Sequence, residues 1–157
     1  MCKVAFFVIR LHTNLIMHKI ISFTIADQTH YETALEIREK VFIEEQNVSR
    51  ALEVENEDEA TYYLLLVDGK PVGTARWRST SQGIKLERFA VLPEYRNKNL
   101  GTEILKKVLE DLHDKSDKVY LHSQLKAVSY YRRQGFVKEG EMFVEANIRH
   151  YMMVWRK

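Results

Sequence analysis

The chain has 157 residues, the size of one domain, and 45% of them are hydrophobic, enough for a single core of ordinary volume. Its 24 Lys and Arg are scattered among 22 Asp and Glu, a formal charge of +2, so no basic stripe of the kind a nucleic-acid partner needs is assembled. The single cysteine, Cys2, excludes a disulfide framework and a cysteine-based metal knuckle, and a reducing cytoplasm is the expected compartment.

The apolar run near the N-terminus, Val4 to Ile9, is too short for a secretory leader and is interrupted by Arg10, His12 and Asn14. No other segment approaches membrane-spanning length, so no membrane partner is expected. Residues 1–16 are read as an extension ahead of a start at Met17, leaving 17–157 as the domain; the alternative is that "VAFFVI" forms an extra strand.

"KIISFTIA", from Lys19, is β-branched and aromatic and predicts the first strand. Between Tyr31 and Gln46, Ala34, Leu35, Ile37, Val41 and Phe42 recur at helical spacing, which predicts one amphipathic helix. The acidic run "EVENEDEA" reads as a solvated loop or frayed helix. "TYYLLLVDGKPVGTARWRS" predicts a hairpin turning at Asp68-Gly69, and a second turn at Ser81-Gln82-Gly83 leads into the strand "IKLERFAVL". Leu100, Ile104, Val108 and Leu112 mark the next helix. "KVYLHSQ" follows as a strand, Ala127 to Gln134 as a short helix, and "FVKEGEMFV" and "RHYMMVWRK" as the last two strands. Helices alternating with hairpins give an α+β (mixed α/β) fold with a mixed, largely antiparallel central sheet flanked by helices.

One turn carries chemistry. A helix N-terminus presents backbone N–H groups without partners and a partial positive charge, which suits a phosphate or pyrophosphate. In "RNKNLGT", Asn97 and Asn99 tolerate left-handed backbone, Gly101 leaves room for a ligand, and Arg96 and Lys98 add charge. The alternative is that Asn99 simply caps the helix and Gly101 packs it on the sheet. Neither GxxxxGK[ST] nor GxGxxG occurs, which excludes the two best-known phosphate loops.

"LERFAVLPEYRNKNLGTEIL", followed about thirty residues later by "AVSYYRRQGF", resembles the GNAT superfamily of acyl-CoA-dependent N-acyltransferases. Arg96 and Gly101 match its pyrophosphate loop, with Asn99 where a middle glycine is usual; Tyr131, Gly135 and Phe136 match its second motif. "REKVFIEEQNV", "LHSQ" and "EGEMFVEANIRHYMM" are similar to a smaller group called ElaA-like, and the likeness runs from Met17 to the end.

The resemblance implies acetyl-CoA as cosubstrate, lying where the "FAV" and "VYLHS" strands separate, and direct N-acetylation of a primary amine on a small molecule or peptide. It implies a cofactor site of Phe89, Ala90, Val91, Arg96, Asn97, Lys98, Asn99, Leu100, Gly101, Thr102, Ser129 and Tyr131. An amine must lose a proton and a thiolate gain one, so two proton handlers are needed. Tyr131 is the acid; Glu87, whose pKa partial burial would raise, and His122 are the candidate bases. Strand alternation puts Lys85, Glu87 and Phe89 on one face and Leu86, Arg88 and Ala90 on the other. Arg38, Phe42, Glu45, Gln46 and His150 are candidates to line the acceptor pocket, unless that helix face is merely solvated. The six histidines have no metal-ligand spacing, and no metal is expected. The alternatives are a non-catalytic acyl-CoA sensor and a transferase for another acyl chain; a homodimer is left open.

Overall fold

The structure, a computed structural model, describes residues 17–156; the proposed extension over 1–16 and the "VAFFVI" strand lie outside them. β1 (His18–Phe23) opens the fold, and α1 (Gln28–Arg38) starts at Asp27, whose carboxylate accepts from the His30 amide at 3.3 Å. The helix predicted to run unbroken to Gln46 changes character at Glu39, and residues Glu39–Glu45 form a π-helical stretch. Val41, Phe42 and Glu45 of this stretch line one cavity. α2 (Arg50–Glu53) follows, with the Ser49 hydroxyl accepting from the Leu52 amide.

β2 (Ala60–Val67), β3 (Lys70–Thr80) and β4 (Gly83–Val91) form the predicted meander. α3 (Leu100–Asp111) then crosses to β5 (Val119–Gln124), and α4 (Val128–Arg133) precedes the last strands. The segment "FVKEGEMFV" is two strands rather than one, β6 (Phe136–Lys138) and β7 (Phe143–Glu145), because Gly140 at φ +81° turns the chain between them. Both pair with β8 (Ile148–Trp155). The strand order is β1-β2-β3-β4-β5-β8-β6, and β4–β5 is the one parallel pair among the described strands.

Two apolar layers clamp the sheet. Tyr63, Leu65, Leu86 and Leu121 pack against Ile104, Leu105 and Val108 of α3, while Tyr62, Leu64 and Ala90 pack against Ala34, Ile37 and Val41. The α1 side also holds charge. Arg38, fully buried, donates from Nε to Glu53 at 2.7 Å and from Nη1 to Glu57 at 3.0 Å, and Arg76 bonds both Glu57 and Glu87. The "EVENEDEA" run is solvated only in part: Glu55, Asn56, Asp58 and Glu59 are exposed, but Glu53 is 1% exposed, and it and Glu57 neutralise arginines that no apolar layer could accommodate alone. No helix among the described residues is long and apolar enough to cross a membrane.

Candidate active site

β4 and β5 pair at only three positions, Ile84–Val119, Lys85–Tyr120 and Leu86–Leu121, and then part. The cause lies on the other edge of β4. Arg76 of β3 faces Glu87 and Thr74 faces Ala90, so two β4 residues, Arg88 and Phe89, stand against Ala75 alone. This β-bulge puts Arg88 at φ +59°, a region costing a non-glycine residue about 1–2 kcal/mol. Its guanidinium is anchored on the carbonyls of Glu53 (3.1 Å) and Leu52 (2.7 Å), which holds the bend. The strict alternation predicted for this strand fails at that point. Glu87 and Ala90 both face the α1 side, and Phe89 joins Leu86 and Val91 on the α3 side.

A cavity of about 460 Å³ passes through the opening, with Phe89, Leu121 and Tyr131 on the α3 side and Phe42, His122 and Gln124 on the α1 side. Tyr131, on α4, meets Tyr130 and Phe136 edge-on at 5.0 and 5.7 Å, and burial, helped by Tyr130, pushes its phenol upward. It stays protonated in neutral solution, as a proton donor must. On β5, His122 Nδ1 lies 3.4 Å from a Glu145 oxygen and the ring meets Phe143 edge-on at 4.7 Å. A carboxylate only accepts, so Nδ1 carries the hydrogen and Nε2 is the nitrogen free to take a proton. The histidine, against burial, holds Glu145 down to about 2.

Glu87 departs from expectation. Burial alone would raise it, but Arg76, Lys85 and Arg88 outweigh that and hold it below the usual carboxylate range. One oxygen accepts from Arg76 and the other from Arg78 Nε at 3.0 Å, so little basicity is left.

The loop before α3 bends through Asn97 at φ +60° and Asn99 at φ +62°. Asn99 occupies the cap position, yet its side chain makes no capping bond. Among the described residues, the first α3 amide with a main-chain acceptor is Glu103, which donates to Asn99 at 3.2 Å; those from Asn97 to Thr102 have none. A Cβ on Gly101 would come no closer than 3.9 Å to Val91 and 4.0 Å to Tyr130, so sheet packing does not require glycine there. Both simpler readings of this loop lose their footing. The side chains of Leu100 and Thr102 turn inward, the latter's hydroxyl 3.2 Å from the Tyr130 hydroxyl, leaving only their backbone for a ligand; Ser129 is exposed on α4. Lys98 sits over the Tyr95 ring at 5.2 Å, and Arg96 clasps Glu45 through two bonds of 2.8 and 2.7 Å.

Of the residues expected to line the acceptor pocket, Phe42, Glu45, Gln46 and His150 reach the cavity. Arg38 does not, because its charge is consumed by Glu53 and Glu57. Glu45 and Gln46 are also engaged, the first by Arg96 and the second by Gln124, whose amide donates to it at 2.8 Å. His150 Nδ1 donates to the Ile148 carbonyl at 2.7 Å. Sequence reasoning missed Arg76, Arg78 and Glu145. In "ARWRS" the two arginines fall on one strand face, but only the register sets them opposite Glu87 and Lys85.

Residues 25–157 match the family described as Acetyltransferase (GNAT) domain. The N-acetyltransferase YjcF of Bacillus subtilis is 32% identical over 131 residues, covering 82% of this chain and 94% of that protein. An acyl-CoA N-acyltransferase from Pseudomonas aeruginosa superposes with a TM-score of 0.80 at 23% identity, covering 89% of this chain and 100% of that one. Escherichia coli ElaA superposes with a TM-score of 0.78 at 22% identity, covering 88% and 99%. With a split sheet, an open helix N-terminus and this sequence match, the chain belongs to the GNAT family of acyl-CoA-dependent acyltransferases.

Proposed function

We propose that the chain acetylates a primary amine, of a small molecule or peptide, by direct transfer from acetyl-CoA in a ternary complex. The observation that carries this reading is that one cavity joins Tyr131 on the α3 side of the sheet to His122 on the α1 side through the β4–β5 opening. The diphosphate of the cosubstrate fits the unpartnered amides from Asn97 to Thr102, assisted by Lys98 and by the helix dipole. The thioester then lies in the gap, and the amine comes from the α1 side.

His122 Nε2, directly or through one water, removes a proton from the ammonium form of the acceptor. The freed nitrogen lone pair attacks the thioester carbonyl carbon, giving a tetrahedral intermediate. Its collapse breaks the C–S bond, the Tyr131 hydroxyl protonates the departing sulfur, and the nitrogen sheds its second proton to solvent. Glu145 orients the imidazole rather than accepting the proton itself. Glu87, tied to Arg76 and Arg78, is given no proton-transfer role.

Calorimetric titration with CoA, followed by thiol release from acetyl-CoA across a panel of amines, tests this reading. Sub-millimolar CoA binding and amine-dependent thiol release are expected. Binding without release under any amine would leave a sensor in place of an enzyme, and absence of binding at millimolar CoA would end the cofactor assignment.

A further inference from the structure

Cations crowd the α1 side of the cavity. Arg38, Arg76, Arg78, Lys85 and Arg88 are bridged by three carboxylates, Glu53, Glu57 and Glu87. The pairing is thinnest at one place. Arg78 and Lys85 are direct cross-strand partners on β3 and β4, a like-charge pairing that destabilises a sheet unless something lies between. What lies there is Glu87 Oε1 alone, 3.0 Å from Arg78 Nε and 3.7 Å from Lys85 Nζ, while the other Glu87 oxygen serves Arg76. The two side chains are only 17% and 15% exposed, and both line the cavity. Every fully buried side-chain nitrogen among the described residues has a partner, so the Arg78 and Lys85 nitrogens without one are not sealed off from a ligand. Burial, and then the nearby Arg76, depress Arg88, against the pull of Glu53 and Glu87. Glu145, which Lys85 influences at longer range, and the exposed Glu55 also stand at the cavity wall, but the ion pairs of Arg78 and Lys85 within 4.0 Å involve Glu87 alone.

Resting on the transferase reading above, we infer that the acceptor is a compact molecule carrying an anionic group, carboxylate or phosphate, besides its amine, and that Arg78 and Lys85 hold the anion. The spacing suits the reaction. Lys85 is level with Tyr120 on β5, and His122 is the next residue on the same face, roughly 7 Å further along the strand. An anion at Arg78 and Lys85 therefore leaves an amine a few bonds away beside the His122 imidazole. A purely cationic acceptor would find the nearest anion, Glu87, already shared by Arg76, Arg78 and Lys85.

The test is calorimetric binding of matched acceptors to the protein saturated with CoA: leucine against leucinamide, glucosamine 6-phosphate against glucosamine, and spermidine as a purely cationic amine. The anionic member of at least one pair is expected to bind at least about tenfold tighter, the worth of one charge-assisted contact. Which pair responds separates carboxylate from phosphate. Lys85→Gln is expected to bring that pair within about twofold while Lys85→Arg keeps the preference, with CoA affinity and melting temperature unchanged in both. Pairs that bind equally, a panel in which nothing binds, tightest binding by spermidine, or a preference that survives Lys85→Gln would each overturn the inference. Because CoA binding is measured first, its failure would point instead to the cofactor assignment.

Discussion

Tyr131 and Tyr130 are neighbours in sequence with different fates. Tyr130 turns its hydroxyl to Thr102, 3.2 Å away, and Tyr131 lines the cavity. Replacing Tyr131 by Phe keeps the ring and its contacts with Tyr130 and Phe136, so the fold is preserved while the proposed proton donor is lost. Turnover by Tyr131→Phe is expected to fall about a hundredfold with little change in acetyl-CoA affinity; an unchanged kcat at saturating substrates would remove Tyr131 from the chemistry. The tyrosine could be singled out from sequence because it sits in a local run that ends in Gly135-Phe136. Arg76, Arg78 and Lys85 could not. Each looks like an ordinary solvated strand charge until the register sets Arg76 opposite Glu87 and Arg78 opposite Lys85. The same register is why Glu87 was misjudged: burial was foreseeable, but its neighbouring cations come from another strand.

The start of α3 is the element most nearly readable in advance, since an anion site there needs only local backbone. Left-handed Asn97 and Asn99 and an unhindered Gly101 are properties of five consecutive residues. Gly101→Glu has room for its Cβ yet places a carboxylate where the diphosphate is proposed to sit. The variant is expected to melt within about 2 °C of the parent, because the added Cβ meets nothing closer than 3.9 Å, and to lose at least about tenfold in CoA affinity. Normal CoA binding by the folded variant would move the diphosphate elsewhere. Two elements were not readable. The π-helical stretch from Glu39 to Glu45 keeps apolar residues at spacings that an ordinary helix also explains, and the bulge at Arg88 has no glycine to announce it. In both, tertiary contacts decide: Arg96 and Gln124 hold Glu45 and Gln46, and the carbonyls of Leu52 and Glu53 hold Arg88.

At the scale of the whole molecule, the fold class and the order of elements were readable because hairpins and amphipathic spacing are local. The ionic layer under α1 was not. It joins Arg38, Glu53, Glu57, Arg76 and Glu87 from four separate segments, and it makes stability depend on pH. Burial opposes ionisation of Glu57, but Arg38, and after it Tyr31 and Arg76, more than compensate and hold it down to about 2, against 4.5 for the free group. A depressed carboxylate contributes stability that is complete above the unfolded value and lost as pH falls through the folded one. The melting temperature is therefore expected to be level above about pH 5 and to drop steadily from pH 4.5 toward pH 2, where Glu57 becomes protonated beside unpaired arginines. A melting temperature constant from pH 5 to pH 2.5 would contradict the role given to this layer.

The parting of β4 from β5 after Leu86 and Leu121 leaves the facing edges with peptide groups that no neighbouring strand satisfies. A side chain cannot mend a row of such vacancies, but another backbone can. On the proposed cofactor assignment, coenzyme A, with two amide links in its extended pantetheine arm, would lie in the split as a short surrogate strand, zipped to the protein by peptide-like bonds. On that geometry the grip on the arm would be indifferent to most side-chain changes along the groove, and what a mutation could not easily alter is the split itself.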